Sequence, residues 1–482
     1  MSKDEIIVDQ SNKILDLESE NERIKHENAE LKRLIFGSKS ERFKSDQVSA
    51  DQLSMFAGAP NQNIEPPKEK ISYERKKAKA HPGRNKLPEH LPVEEIVIEP
   101  EFDTEGMDRI GEEITETLKY TPASLIKKRI IRPKYIDRKE EKIYIASLPE
   151  RALPKCIAES CLLSQIIVSK FVDHLPFYRQ IQMFKRDYNW KLSSSTLNDW
   201  FAACCTLLEP LYNEMLEIIL LSGYIQADES PIKVQDSEKK GSTHMGYQWV
   251  YSSPVDGITV FQYRKGRGMH GPKEMLSKYE GLLQCDGYKV YDKIGKKKQV
   301  TLVGCLAHAR RKFYEAQDND KQKSEYALEI IRSIYEHEKI CTDYSFEERK
   351  TYRLEKVKPI YIKFKQWLEQ NREQVLPKSK IGKAILYTLR QWHKLIAVFA
   401  DGQIQIDNNL IENKIRPLAL GRKNFLFAGS HGGAQRIAMM YSFFATCKQN
   451  NVNPYEWMRE TLDKLPSTKM SELKELIPSA YG

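Results

Sequence analysis

An α/β core interrupted by a long helical segment is the fold class that residues 222–440 predict. Three observations carry it. Runs of aromatic and β-branched residues between 223 and 303 are broken by turn residues, the spacing of a small sheet. Helical patterns, "GPKEMLSKY" and "CLAHARRKF", alternate with the later of these runs, as mixed α/β chains require. Residues 320–400 then turn to charged, amphipathic helix before a basic, glycine-rich stretch closes the unit.

At 482 residues the chain exceeds one ordinary domain. Its 77 basic residues against 67 acidic ones leave a net charge of +10, which favours a polyanionic partner met through basic patches on a folded surface. No apolar run is long enough to cross a membrane and "MSKDEIIVDQ" is not a signal peptide, so no membrane partner is expected and the location should be cytosolic. The eight cysteines contain no C-x-x-C pair, which argues against a zinc ribbon or a redox pair and for buried, reduced thiols.

The elements follow in order. Within a first unit at 1–43, residues 7–35 keep a heptad, with Ile7, Ile14, Asn21, Asn28 and Ile35 at one position and Leu17, Ile24 and Leu31 at the other. That pattern reads as a coiled-coil helix pairing two chains, against the alternative of a single solvated helix. Residues 44–90 are a Pro-rich, then basic, linker in which Arg84 either enters a minor groove or merely adds phosphate attraction. Residues 91–150 hold strand-like runs, "VEEIVIEP", "KKRIIRPKYIDR" and "EKIYIASLP", and suggest a small β-rich module. Residues 151–221 are helical, and the serines before "TLNDWF" are suited to capping a helix start. Two helices across a short turn resemble a helix-turn-helix DNA reader, with a plain connector as the alternative.

The core itself spans 222–317 and 401–440, with a helical insertion at 318–400 and a C-terminal helical region at 441–482. "GYIQADESPIKV" is a strand, and "GYQWVYSSPVDGITVFQYR" is a hairpin about Asp256-Gly257. "GLLQCDGYKVYD" is a further strand, and "QVTLVGCLAHARRKFYEA" is a strand entering a helix. The last helix is expected to start near Asp407 and to be limited by Pro417.

Three acids occupy comparable places in this order. Asp228 lies in the first strand, Asp286 at the end of a later strand and Glu412 on the last helix. That is the layout of a ribonuclease H-like fold, in which adjacent strands bring two aspartates together under a crossing helix. Carboxylates suit hard ions such as Mg²⁺, and two such ions assist phosphodiester displacement. Glu229, Asp236 and Asp292 lie close enough in sequence to compete for the same role. His308 could shuttle a proton, touch phosphate or simply hold the start of its helix. Arg310, Arg311 and Lys312 beside it, with Arg416, Arg422, Lys423 and Arg436 further on, are candidate phosphate contacts.

At this point the motifs are recognisable. "LKRLIFGSKSERF", "VSKFVDHLPFYRQIQMF", "ADESPIKV", "LQCDGYKVYD", "CLAHARRKF", "LPKSKIGKAILYTLRQW", "IDNNLIENKIRPLALGRKNFLFAGSHGGAQR" and "NPYEWMRETLDKLP" together resemble a transposase of the insertion-sequence-66 type. The likeness runs over almost the whole chain, and the stretch with Asn408, Asn409, Glu412, Arg416 and Pro417 is its most specific part. The resemblance implies a DDE transposase with Asp228, Asp286 and Glu412 as metal-binding triad, and two Mg²⁺ ions with Mn²⁺ as a substitute. It further implies DNA ends and target DNA as partners, accessory transposition proteins, and a bacterial, nucleoid-associated location. Relatives carry a zinc ribbon where residues 100–145 lie. Here that stretch has no cysteine, so no structural zinc is expected. Two alternatives stand beside this reading: a catalytically inactive DNA-binding derivative, and a ribonuclease H-fold nuclease.

Overall fold

The computed structural model describes residues 124–481, apart from 132–133, 138–141, 146–149, 155 and 236–240. The heptad segment, the basic linker with Arg84 and the run "VEEIVIEP" lie outside the described residues, as does Asp236.

Two short strands come first, β1 (Lys134–Asp137) and β2 (Lys142–Ile145), paired antiparallel with Lys134 opposite Ile145. These are the second and third strand-like runs of the small β module. Three helices follow: α1 (Ser160–Phe171), α2 (Phe177–Tyr188) and α3 (Ser194–Leu221). The serine run caps α3 as its chemistry predicts, with Ser193 Oγ accepting from Thr196 N at 3.0 Å. Phe171 packs on Phe201 at 5.4 Å and edge-on to Tyr441 at 5.5 Å, so these helices share one apolar core with the C-terminal region and the sheet.

The sheet has five strands in the order β5-β4-β3-β6-β7. Its antiparallel half is β3 (Tyr224–Gln235), β4 (Thr243–Ser253) and β5 (Ile258–Arg264). Gly257 supplies the positive φ of 67° that the β4–β5 turn needs. A short helix, α4 (His270–Met275), carries the chain to β6 (Gly281–Gln284), which pairs parallel with β3 on its free side. Helix α5 (Lys289–Ile294) leads to β7 (Val300–Val303), parallel to β6.

Two expectations are corrected. The strand expected over "GLLQCDGYKVYD" ends at Gln284, and its second half is α5. The Lys289–Ile294 turn buries Tyr291 against Trp249, at 6.2 Å between rings, and that burial overrides the alternating pattern. Pro417 does not limit its helix either. That helix, α11, runs Asn409–Phe425, with Asn408 at its N-cap. Buried Ile411, Leu418 and Gly421 hold its inner face, so one missing backbone donor is tolerated.

Helix α6 (Leu306–Glu315) follows β7, and the insertion after it is made of α7 (Lys321–Ile340), α8 (Phe346–Tyr352) with a π turn at Arg353–Val357, α9 (Lys358–Arg372) and α10 (Lys380–Leu395). Phe313, Ile331, Phe364 and Trp392 form its core, which also takes in Tyr224 and Val303 from the sheet. After α11 come α12 (His431–Gln449) and α13 (Pro454–Lys464). Helix α12 covers the β5 edge of the sheet. Phe261 N donates to Ser442 Oγ at 2.8 Å and Thr259 N to Thr446 Oγ1 at 3.1 Å, satisfying groups an open edge would expose. Among the described residues no helix is long and apolar enough to cross a membrane. All eight cysteines are free thiols; six are buried as expected, Cys156 is half-buried and Cys161 is exposed.

Candidate active site

Strand parity sets the first two acids side by side. Gln226 of β3 and Gln284 of β6 are register partners, joined by Gln226 Nε2 donating to Gln284 Oε1 at 2.8 Å. Side chains two residues apart share a face, so Asp228 follows Gln226 on that face, and Asp286 continues from Gln284 just past the end of β6. Each aspartate is held by a nearby amide: Glu229 N donates to Asp228 Oδ1 at 2.8 Å, and Tyr288 N to Asp286 Oδ1 at 2.9 Å.

Glu412 is brought over them by the returning chain. Gln284 Nε2 donates to Gln405 O at 2.7 Å, Gln226 Nε2 to Asp407 O at 3.3 Å, and Asn408 Nδ2 to Ala227 O at 3.3 Å. These bonds fix the start of α11, where Glu412 occupies the first turn and benefits from the free amides there. Asp407 does not cap the helix as N-cap residue. It accepts instead from Asn409 N at 3.0 Å and from Tyr335 OH at 2.7 Å, one residue further out.

Burial pushes the Asp228 carboxyl up to about 8, and the negative charges of Glu229, Asp286 and Glu412 add to that rise while the Glu229 amide opposes it. Three carboxylates with oxygen-only donors, one of them held well above the usual range, fit a hard divalent cation in charge and donor type. In the arrangement seen, no group of three or more His, Cys, Asp or Glu side chains among the described residues is disposed to chelate a metal ion. Fit in donor chemistry is therefore present without chelating geometry.

Two competing acids are ion-paired, although the charge of Glu229 still acts on Asp228. Asp292 is ion-paired with the buried Lys394 of α10. Glu229 points to the opposite face of the sheet, where its side chain is 3% exposed and receives Arg267 Nη2 at 2.6 Å and Nε at 2.7 Å. Arg267 also lies 4.4 Å from the Tyr288 ring. Sequence reasoning missed this arginine, whose only signal was its place in the basic, glycine-flanked "RKGRG" after β5.

The basic candidates are placed differently from one another. Lys312 sits 5.1 Å over the Tyr387 ring, and the Tyr387 side chain packs against Gly287 beside Asp286, where an added Cβ would come within 2.9 Å of its hydroxyl. The charge of His308 acts on Asp407, and the His308 Nδ1 is buried without a hydrogen-bond partner. Arg310 and Arg311 are half-buried on α6. Arg416 and Lys423 are exposed on α11. Arg422 donates to the Pro231 carbonyl of β3, and Arg436 is half-buried near Cys205 of α3.

The fold thus presents a mixed sheet with one acid within β3, a second just past the end of the adjacent parallel β6, and a third in the first turn of α11. Comparison with known proteins supplies the family. Residues 155–436 match the model described as Transposase IS66 family, residues 23–96 match Transposase C of IS166 homeodomain, and residues 442–479 match the IS66 C-terminal element. The chain belongs to the IS66 family of transposases. It is similar to three uncharacterized proteins of Sinorhizobium fredii (strain NBRC 101917 / NGR234). It is 31% identical to y4jD over 94% of either chain, 29% identical to y4hP over 93% of this chain and 86% of that one, and 31% identical to y4qI over 95% and 89%.

Proposed function

We propose that this chain is a DDE transposase with a ribonuclease H-like core, in which Asp228, Asp286 and Glu412 act together on a DNA phosphodiester. The observation that carries the reading is the placement of these acids: Asp228 on β3 and Asp286 just past the end of the parallel β6 follow register partners on one face, and the charge of Glu412 is felt at Asp228. The sheet order, with a three-strand meander followed by two parallel strands, supports the fold reading.

Two bound Mg²⁺ ions, or Mn²⁺ in their place, would supply activation of the attacking oxygen and stabilisation of the leaving one. Asp228, Asp286 and Glu412 are the residues that would hold them. Water displaces the 3′ oxygen at the element end, breaking the P–O3′ bond and leaving a 3′-hydroxyl. That hydroxyl then displaces one ester oxygen of target DNA, so one phosphodiester is exchanged for another. Lys312 over Tyr387 and Arg416, one helical turn after Glu412, would hold phosphate oxygens, and His308 would relay the proton that the attacking oxygen releases. Pairing of two chains through residues 7–35 would bring two ends together.

The test is nicking of a supercoiled plasmid carrying the native element, in Mg²⁺ or Mn²⁺, with Glu412→Gln as comparison. Loss of one metal-holding carboxylate removes several kcal/mol of charge stabilisation, so nicking should fall about 10³-fold or more while DNA binding persists. Equal nicking by both proteins would remove Glu412 from the site. Binding without nicking in the wild type, with accessory proteins supplied, would favour the inactive DNA-binding derivative.

A further inference from the structure

The helix that carries Glu412 ends in an unusual place. Leu426, just past Phe425, takes φ 63° and ψ −50°, a conformation that bulky side chains rarely adopt. The next residues are fixed on β3: Ala428 N donates to Lys233 O at 2.8 Å and Gln235 N to Ala428 O at 2.8 Å. Held this way, the backbone turns two large apolar side chains outward, Leu426 at 66% exposure and Phe427 at 44%. The turn seats Ala428 on β3 but leaves the Leu426 and Phe427 side chains uncovered, and an exposed apolar pair at a strained turn points to a ligand.

Beside them is an open groove of about 460 Å³ lined by Lys233, Thr243, Met245, Arg422, Leu426 and Phe427. Its charged walls are both cationic, Lys423 stands exposed on the preceding turn, and Met245 offers a further apolar face at 46% exposure. A polarizable apolar floor with an aromatic edge and a cationic rim is the chemistry that receives a nucleobase while phosphate is gripped outside. Among the described lining residues no acid answers these cations, which favours an anionic ligand.

We propose that Leu426 and Phe427 form a wedge that enters the base stack of bound DNA, and that the adjoining groove receives the displaced base. This rests on DNA being the partner of the site proposed above. Wedge and site share one rigid element. A helix rises about 1.5 Å per residue, so Leu426 stands about 20 Å from Glu412. At about 3.4 Å per base step, the unstacked position lies about six base pairs from the phosphate that the acids address.

The experiment uses the full chain and duplexes of the DNA end flanking its coding sequence, with 2-aminopurine placed at one position at a time. Wild type should raise the fluorescence severalfold at a single position about six base pairs from the nick. Phe427→Ala should abolish that rise and weaken binding about tenfold, the scale of one lost base–aromatic stack, while Phe427→Trp should retain both. An unchanged fluorescence profile in a wild-type protein that still nicks would overturn the wedge and leave the active-site reading standing. No DNA binding at all would overturn both. If Phe427→Ala changed the oligomeric state and left the fluorescence rise intact, the groove would be a contact between copies of the chain.

Discussion

The two cores of this molecule use the same side chains to opposite ends. The larger one packs Phe171, Trp249, Phe261 and Tyr441 around the sheet, and it makes a platform that carries Asp228 on β3 and Asp286 just past β6. The smaller one packs Phe313, Phe364 and Trp392 among the insertion helices and contributes none of the three acids. It does something else. It returns the chain at Gln405–Asn408 to the point where Glu412 can face the aspartates. Where the cores meet, the seam is polar. Tyr224, Gln226 and Gln284 are almost wholly buried there and bonded to one another. Apolar packing could hold two bodies together in many registers. A row of buried hydrogen bonds allows one, because any slip leaves donors and acceptors bare.

Cutting into the insertion core gives the largest expected effect on stability. Phe364 is fully buried between Phe313 at 6.1 Å and Trp392 at 6.0 Å, so Phe364→Ala should cost about 3–5 kcal/mol. Because Tyr224 and Val303 of the sheet belong to that same core, denaturant unfolding should remain one transition moved to lower midpoint. Two separated transitions, with the sheet's unmoved, would break the comparison and show that the cores fold independently.

The seam itself is tested by Gln284→Leu. The Gln284 side chain receives Gln226 and Tyr224 and donates to Gly304 O at 3.0 Å and Gln405 O at 2.7 Å. Each buried group left without a partner costs about 1–3 kcal/mol, and shape-matched leucine keeps the volume. The loss of stability should be of the same order as for Phe364→Ala, because Gly304 O and Gln405 O both lose their donor, yet nicking should fall further, since Gln405 leads directly to the helix of Glu412. If nicking tracked stability equally in both variants, the seam would be a packing feature without a positioning role.

Much of this architecture was legible in the sequence and some of it was not, for physical reasons. The hairpin could be read because Asp256-Gly257 sits between alternating aromatic and β-branched runs, and the start of α3 because serines satisfy free amides. The seam was hidden because glutamine in a strand reads as solvent-facing. A signal was nonetheless present: both acid-bearing strands contain Gln-x-Asp, at Gln226–Asp228 and Gln284–Asp286, and period 2 puts each pair on one face. The short β6 and the continuation of α11 through Pro417 could not be read locally, since Tyr291 and Leu418 decide them through tertiary burial. The Glu229–Arg267 pair was equally invisible. Its partners come from different elements, and only the strand register shows that Glu229 faces away from Asp228.

The smallest expected effect sharpens the contrast from the side of the larger core. Lys170, at the end of α1, is held 3.8 Å over the Phe177 ring and 5.1 Å over Phe425, and burial pulls its ammonium down to about 8. A lysine depressed in the folded state binds fewer protons there than in the unfolded chain between about 8 and its ordinary 10.5. The destabilisation is therefore fully present below about pH 8 and is relieved as pH rises towards 10.5. Partial exposure and the two rings reduce it to about 1–2 kcal/mol. Lys170→Met should raise the unfolding midpoint at pH 7 and flatten its dependence between pH 8 and 10.5. A lower midpoint at pH 7 would mean that the cation over these rings outweighs its own desolvation, and that the larger core, like the seam, depends on a polar contact.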